Sequence, residues 1–313
     1  EEEKARDPAA AVQKLFDAAG RMTWLWRKIE TCGKPWVSAI NGTCMGGATE
    51  LSLACHGRVA SNAKSVKIGL PEVKVGIFPG AGGTQRVARL ANTQDALQMM
   101  TTGQTLSAAR AKAMNLVHQV VEPGELINAA KQMIKDGLKP VAPWDEKGFK
   151  VPGGGIWTPA AAQLWPAASA ILRRETAGNY PAALAILKSV YEGLQVPFDT
   201  GLRIEQRYFT EIVQTTEAYS MIRSLFVSMQ ELNKGARRPA GQPKSEIKKV
   251  GVVGAGFMGA SIAYVTAAAG INVVLIDRDM EAAGKGKTHS EGLVAGAVGK
   301  GKLTKDEGET LLS

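Results

Sequence analysis

The chain has 313 residues, of which 45% are hydrophobic, and 38 Lys and Arg against 29 Asp and Glu give it a formal net charge of +9. This length allows one large domain and part of a second, and no apolar run approaches the roughly 18 residues that a membrane-spanning helix needs. Basic residues are dispersed except in residues 234–249, where prolines and glycines indicate a solvated linker and no aromatic side chains alternate with the charges, so nucleic-acid binding is not predicted.

Two glycine-rich turns, each with a glutamate nearby, stand out in the first part of the chain. Residues 34–41 predict a buried strand, and a helix that begins near Gly47 carries Glu50 in its first turn. Glu72 follows a second strand and precedes the glycine-rich residues 78–84, which open another helix. Either glutamate alone would be interpreted as an acid that interacts with a helix dipole or as a loop acid. Two of them at turns beside helix N-termini are unusual for surface carboxylates and are therefore candidate catalytic residues.

The cysteines and histidines offer no comparable pattern. Three sparse cysteines lack metal-ligand spacing and fit a reducing compartment, so no metal site is predicted. We expect His56 at a helix end, His118 in a strand and His289 in a solvated helix.

Residues from about 155 to 235 are predicted to be mostly helical. The expected helices are Pro159–Thr176, Tyr180–Gly193 and one long amphipathic helix near Leu202–Asn233. Aromatic and aliphatic residues recur along the last one at three- and four-residue steps: Tyr208, Phe209, Ile212, Tyr219, Ile222, Phe226 and Met229. Such a stripe favours core or interdomain packing over a cofactor site.

A fingerprint for binding a nicotinamide or flavin dinucleotide begins at residue 249, where an apolar strand leads into Gly254-Ala-Gly256-Phe-Met-Gly259. Gly254 allows the tight turn, Gly256 lets the backbone approach a pyrophosphate, and Gly259 lets the next helix pack close to the strand. The N–H groups of Phe257 and Met258 would face the phosphates at the N-terminus of that helix.

An acidic residue in the right place strengthens this interpretation. The helix, expected over Ala260–Ala269 with Gly270 as its C-cap, leads to a strand over Ile271–Ile276 and then to Asp277. Asp277 lies 18 residues after Gly259, near the usual spacing of about 20 for the carboxylate that binds the ribose hydroxyls. Its charge would repel a 2′-phosphate, which favours NAD over NADP, although Arg278 leaves NADP open.

The fingerprint comes late in the chain. From Val250 onwards there are 64 residues, whereas a complete dinucleotide fold needs two βαβαβ halves. A further helix is expected over Met280–Lys300. We therefore expect this sequence to be an internal piece of a longer polypeptide.

Two segments of the first part resemble the signature of the enoyl-CoA hydratase (crotonase) family. In the first segment the matching residues are Ala39-Ile40-Asn41-Gly42 and Gly46-Gly47-Ala48-Thr49-Glu50-Leu51. In the second they are Leu70-Pro71-Glu72-Val73 and Gly76-Ile77-Phe78-Pro79-Gly80-Ala81-Gly82-Gly83-Thr84-Gln85-Arg86. The resemblance implies that Glu50 activates water for attack on the β-carbon of a trans-2-enoyl-CoA and that Glu72 protonates the α-carbon. It also implies that the N–H of Gly47 is one donor of the oxyanion hole.

The order of the two signatures resembles that of multifunctional α-subunits of fatty-acid β-oxidation, which fuse an enoyl-CoA hydratase to a 3-hydroxyacyl-CoA dehydrogenase. This implies an α/β protein with a crotonase-type ββα spiral domain in residues 1–150, truncated at its N-terminal side, and a helical linker region in residues 151–246. The first part of a Rossmann NAD-binding domain, truncated at its C-terminal side, would follow in residues 247–313.

The implied function is hydration of trans-2-enoyl-CoA to (3S)-3-hydroxyacyl-CoA and its oxidation with NAD to 3-oxoacyl-CoA. Two alternatives stay open: a crotonase-fold isomerase fused to an NAD domain, and a non-catalytic scaffold that docks a thiolase. The implied partners are acyl-CoA thioesters and a thiolase β-subunit. We expect a bacterial cytoplasmic location, or a mitochondrial or peroxisomal one in a eukaryote.

Overall fold

The computed structural model describes residues 7–243 and 245–313, so Glu1–Arg6 and Lys244, which falls in the predicted linker, lie outside the described residues. The chain divides into two compact units, a first that ends at Ala236 and a second from Arg237 to Ser313. None of the described helices combines the length and the apolar character that crossing a bilayer requires.

The first unit opens with helix α1 (Pro8–Thr31), which Asp7 caps by accepting a hydrogen bond from the N–H of Ala10 at 3.0 Å. Two repeats of two strands and one helix follow: β1 (Val37–Ile40), β2 (Thr43–Met45) and α2 (Gly47–Ala54), then β3 (Gly57–Ser61), β4 (Lys67–Gly69) and α3 (Gly83–Leu90). The next elements are α4 (Thr93–Thr102), β5 (Thr105–Leu106), α5 (Ala108–Ala113), β6 (Gln119–Val121) and α6 (Leu126–Lys135). Short 3₁₀ turns lie at Glu72–Val75, Pro123–Glu125 and Pro143–Asp145.

The strands form two sheets, and each repeat contributes one strand to each sheet. The first sheet has the order β1-β3-β6 and is parallel, with Val37 opposite Gly57 and Val59 opposite Gln119. In the second sheet, β2-β4-β5, strand β2 is parallel to β4 and β4 is antiparallel to β5. Successive repeats therefore wind as a ββα spiral, which confirms the predicted fold class.

Five helical segments follow the spiral. They are α7 (Pro159–Thr176), α8 (Pro181–Gly193), α9 (Phe198–Ile212), α10 (Thr216–Met221) and α11 (Met229–Asn233), with a π-helical stretch over Ile222–Ser228 between the last two. The first two lie where the sequence predicts them.

The single long helix predicted over Leu202–Asn233 is wrong, because the chain turns after Ile212. Thr215 caps a new helix there: its hydroxyl accepts a hydrogen bond from the N–H of Ala218 at 3.2 Å. The aromatic stripe is divided by this turn. Phe209 packs against the core, whereas Phe226, beyond the turn, is 52% exposed within the described residues.

Helices α8 and α9 are part of the core of the first unit, although their residues fall in the range predicted to be a linker. Ile186 and Val190 of α8 are fully buried in one cluster with Leu53 and Phe78 of the spiral. Phe209 of α9 contacts Phe78 edge to face, with the ring centroids 5.8 Å apart. These helices therefore complete the hydrophobic core of the ββα spiral.

The second unit contains a two-stranded parallel sheet with helices. Its elements are β7 (Lys249–Val253), α12 (Phe257–Ala268), β8 (Asn272–Ile276), α13 (Met280–Gly299) and α14 (Lys305–Leu312). The strand, helix, strand order that the sequence predicts is confirmed. Helix α12 ends just before Gly270, whose φ of +79° is the left-handed conformation expected beyond a helix end.

Ile186→Ala should lower the free energy of unfolding of the first unit by about 2–5 kcal/mol, because it removes buried methyl groups and leaves a cavity. Leu184→Ala is the matched control, since Leu184 lies on the same helix and is 44% exposed, whereas Ile186 is fully buried. Denaturant midpoints of the two variants and the wild type measure the difference. Equal midpoints for the two variants would show that α8 is not part of the core.

Candidate active site

Glu50 lies on α2 and its side chain is buried, with only 3% of its surface exposed. Gly46, at φ +59°, reverses the chain between strand and helix and so brings the first turn of α2 inward. One carboxylate oxygen, Oε1, accepts hydrogen bonds from the N–H groups of Ala81 at 2.7 Å and Gly83 at 2.9 Å. Glu50 is therefore an acid in the first turn of α2, as the alternative interpretation also expects, but it is buried and bound by two backbone donors.

Glu72 opens the 3₁₀ turn that follows β4, and its side chain is partly buried. Its Oε2 atom is buried and has no hydrogen-bond partner among the described residues. A Cβ built on Gly46 would lie 3.3 Å from Oε1 of Glu72, so the turn that precedes Gly47 lies directly against this carboxylate. Gly47 is in the first turn of α2, where its N–H has no carbonyl partner within the helix. The structure thus brings Gly47, Glu50 and Glu72 together.

A third buried glutamate, Glu205 of α9, reaches the same loop and is absent from the sequence-based candidates. It is 0% exposed. Its Oε1 accepts from the N–H of Gly82 at 2.5 Å, and its Oε2 accepts from the N–H of Thr84 at 2.9 Å and from the hydroxyl of Thr84. The sequence does contain one indication that Glu205 is buried: it lies three residues after Leu202 and four before Phe209, on the apolar face of its helix.

Arg86 of α3 places a positive charge near Glu50 and Glu205. Its side chain is fully buried, pairs with Glu30 of α1 over 2.7 Å, and donates through Nη1 to the carbonyl oxygen of Ala81 at 2.8 Å. Arg86 therefore links helix α1 to the loop through Glu30 and the carbonyl group of Ala81. Burial raises the pKa of Glu50 and of Glu205, and the positive charge of Arg86 opposes part of that rise.

Burial nevertheless raises the pKa of all three carboxyl groups. Burial and the charge of Glu50 raise the pKa of Glu72 from 4.5 to about 8, and the same two causes raise the pKa of Glu205 to about 8. The pKa of Glu50 is also raised by burial, and two backbone N–H donors oppose that change. Near neutral pH the three groups therefore share fewer than three negative charges, and proton donor and acceptor coexist in one site.

The predicted dinucleotide residues meet at one end of the sheet in the second unit. Gly254 has a φ of +96°, and a Cβ on Gly259 would lie 1.7 Å from the carbonyl oxygen of Gly254. Nothing lies within 4 Å of a Cβ built on Gly256. The three glycines thus have the turn, the close helix packing and the open approach that a bound pyrophosphate requires.

Asp277 follows β8 and binds the glycine-rich turn. Its Oδ2 accepts from the N–H of Ala255 at 2.6 Å and its Oδ1 from the N–H of Arg278 at 2.7 Å. These two bonds lower the pKa of Asp277, so it is ionised at neutral pH beside the turn. Phe257 and Met258 begin α12, where their N–H groups are free of partners within the helix. The N–H donors therefore fit the phosphates of a dinucleotide, and the Asp277 carboxylate fits free ribose hydroxyls as an acceptor.

The histidines lie outside both sites or at their edges. His56 follows the end of α2, as predicted, and its Nδ1 accepts from the N–H of Trp36 at 3.1 Å. His118 precedes β6 rather than lying inside a strand, and burial lowers its pKa to about 4. His289 of α13 is near Ser261, 3.4 Å away. No group of three or more His, Cys, Asp and Glu among the described residues could hold a metal ion.

Two parts of the sequence match known families. Residues 9–141 match the enoyl-CoA hydratase/isomerase family, and residues 249–313 match the NAD-binding domain of 3-hydroxyacyl-CoA dehydrogenase. The fatty acid oxidation complex subunit alpha of Idiomarina loihiensis is 39% identical over 250 residues, which are 78% of this chain and 34% of that protein. The subunit of the same name from Vibrio parahaemolyticus is 37% identical over 245 residues, with the same shares.

A solved enoyl-CoA hydratase from Mycobacterium avium subsp. paratuberculosis is 20% identical to this chain, with a TM-score of 0.44 over 65% of this chain and 68% of that one. The chain spans about a third of the length of the curated relatives that it matches.

Glu72→Gln should stabilise the first unit more at pH 9 than at pH 5. A buried carboxyl group whose pKa is raised from 4.5 to about 8 holds its proton more tightly in the folded state than in the unfolded state. The wild type therefore loses stability as the pH rises between these values, and the uncharged amide does not. Denaturant midpoints at both pH values measure this, with Glu125→Gln, at an exposed position, as control. The same midpoint gain at pH 5 and pH 9 would contradict the burial of an ionising Glu72.

Proposed function

Since the chain belongs, over residues 9–141, to the enoyl-CoA hydratase/isomerase family and, over residues 249–313, to the family of NAD-binding domains of 3-hydroxyacyl-CoA dehydrogenases, we propose that the protein acts in fatty-acid β-oxidation. It hydrates trans-2-enoyl-CoA to (3S)-3-hydroxyacyl-CoA and oxidises that product with NAD to 3-oxoacyl-CoA. The proposed division is residues 1–150 for hydration, 151–246 as a helical region whose helices α8 and α9 also complete the core of the first unit, and 247–313 for NAD.

The observation that carries the hydratase proposal is the meeting of Glu50 and Glu72, from two successive repeats, in one buried site with different hydrogen-bond surroundings. Two backbone N–H groups donate to Glu50, which favours its ionised form and suits a general base. Glu72 has a pKa of about 8 and keeps its proton at neutral pH, which suits a general acid. This pair favours a hydratase over an isomerase that uses one acid.

Hydration then needs three contributions from these residues. Glu50 takes a proton from water as the water oxygen bonds to the β-carbon, and Glu72 gives a proton to the α-carbon. The N–H of Gly47 stabilises the negative charge that develops on the thioester oxygen. Proton transfer from Glu50 to Glu72 through water restores the starting state. Because both acids belong to one site, the two additions take place on the same face of the double bond.

In the second unit, the bound nicotinamide cofactor would supply a hydride acceptor. The chain's own residues bind and orient it: Gly256 admits the pyrophosphate to the backbone, and the N–H groups of Phe257 and Met258 donate to it. The ionised Asp277 accepts hydrogen bonds from the ribose hydroxyls and disfavours a 2′-phosphate.

The proposed partners and compartment are inferred from the relatives. They are named subunits of a complex and come from bacteria, which supports a partner subunit and a bacterial location. We propose that the partner is a thiolase β-subunit, which would consume the 3-oxoacyl-CoA, and that the compartment is the cytoplasm.

Glu50→Gln and Glu72→Gln should each lower the rate of crotonyl-CoA hydration by the full-length protein about 10²–10⁴-fold, because an amide cannot exchange the proton. Both donors to Glu50 reach the same oxygen, so Gln can keep both hydrogen bonds and the fold. Steady-state kinetics measure the loss, with Glu125→Gln as control. Oxidation of 3-hydroxybutyryl-CoA should be unaffected in every variant. A Glu50→Gln protein that hydrates crotonyl-CoA at the wild-type rate would show that Glu50 is not the general base.

Asp277→Ser should weaken NAD binding and improve NADP binding. One unit-charge contact near a protein surface is worth roughly 1–4 kcal/mol, so the ratio of the two dissociation constants should change about tenfold or more. Titration calorimetry with NAD and NADP on the full-length protein measures the ratio. The control is Glu281→Gln, an exposed acid on α13. A wild type that prefers NADP would contradict the role of Asp277 directly.

A further inference from the structure

We propose that Glu205 is a positioning residue for Glu50, which it holds in place through the glycine-rich loop of residues 80–84. This inference rests on the proposed hydratase function, in which Glu50 is the general base. Glu205 is a positioning residue rather than a catalytic one, because its carboxylate contacts the loop and not the reacting atoms.

The contacts of the loop alternate between the two glutamates. The N–H groups of Ala81 and Gly83 donate to Glu50, while those of Gly82 and Thr84 donate to Glu205. Four successive N–H groups at the start of α3 thus point in turn to one carboxylate and then the other. Without the bonds to Glu205, only packing would fix the direction of the donors to Glu50.

The binding of Glu205 is specific for a carboxylate with two accepting oxygens. Oε1 accepts from Gly82, whereas Oε2 accepts from both the N–H and the hydroxyl of Thr84. The hydroxyl of Thr84 accepts in turn from the side-chain amide of Gln85 at 3.0 Å, so its own proton is available to Glu205. Unlike at Glu50, an amide at position 205 cannot satisfy these donors, since its –NH₂ group would face an N–H.

The loop has no room to adjust by itself. A Cβ on Gly83 would lie 2.7 Å from Oε1 of Glu50, and a Cβ on Gly82, whose φ is +95°, would lie 1.7 Å from Nη1 of Arg86. The backbone between the two glutamates is therefore closely fitted, and a shift on the Glu205 side is transmitted to the Glu50 side.

The charged or titratable groups around this loop are Glu50, Glu72 and Glu205, which act on one another, and Arg86 with its ion-pair partner Glu30. The negative charge of Glu205 raises the pKa of Glu72, after the larger effects of burial and Glu50. Replacing Glu205 with an uncharged residue removes that contribution. The pKa of Glu72 then falls, and the pH above which Glu72 loses its proton falls with it.

The test compares Glu205→Gln with Glu211→Gln in the full-length protein. Glu211 is on the same helix and exposed, so its replacement should leave hydration of crotonyl-CoA unchanged. Glu205→Gln should lower kcat about 10- to 100-fold, the size of effect expected when a reacting group is misplaced by about 1 Å. KM should change less than about 3-fold, and the alkaline limb of the kcat profile should move to lower pH.

Deuterium uptake of the peptide that covers residues 79–85 is the second readout. Uptake should be faster in Glu205→Gln than in Glu211→Gln, because the amide has one accepting oxygen and one of the two backbone donors, Gly82 or Thr84, loses its acceptor. A folded Glu205→Gln protein with wild-type kcat overturns the proposal. So does one that loses kcat while its pH profile and its uptake in residues 79–85 remain those of the wild type, since a purely structural role predicts that result.

If circular dichroism shows that Glu205→Gln does not fold, Thr84→Val tests whether Glu205 holds the loop. It removes one of the three donors to Glu205 and keeps the shape of the side chain, so it should lower kcat by a smaller factor and speed deuterium uptake. Wild-type values for both overturn the proposal. If the wild type itself does not hydrate crotonyl-CoA, the proposed function fails, and uptake in residues 79–85 alone then decides whether Glu205 holds the loop.

Discussion

The N–H groups of residues 81–84 donate to two buried carboxyl groups, and these bonds join helices α2 and α9 to the loop between them. Glu50 comes from the ββα spiral and Glu205 from a helix more than a hundred residues later, with 121 residues separating Glu205 from Thr84. Burying two ionisable carboxyl groups at one helix N-terminus is unfavourable unless donors surround them. The helix start supplies those donors, and the buried Arg86 supplies a positive charge.

This arrangement explains why the helices after residue 151 belong to the first unit. Helix α9 delivers Glu205 to the loop and packs Phe209 against Phe78, while α8 fills the core beside it. The segment joins two units in sequence, yet its first helices complete the hydrophobic core and one wall of the candidate site. A buried glutamate would be costly at this position if α9 were only a connection.

The parts of the structure that depend on local sequence could be predicted, and those that depend on distant contacts could not. Glycine turns beside helix starts identify Glu50 and Glu72, since strand, turn and helix are contiguous there. Sequence patterns do not predict Glu205 as a site residue, because its partners lie far away in sequence. Its one local indication is that a carboxylate lies on the apolar face of a helix. The break after Ile212 had a local signal as well, the capping Thr215, which the strong apolar periodicity obscured.

If Glu50 and Glu72 act together from one side of the substrate, water adds to a single face of the double bond. The stereochemical course of hydration measures this: the full-length protein converts crotonyl-CoA in D₂O, and the product is analysed by NMR. We expect one deuterium at C2, added to the same face as the C3 hydroxyl. Deuterium on the opposite face, or an equal mixture of the two, would show that the two acids do not act from one side.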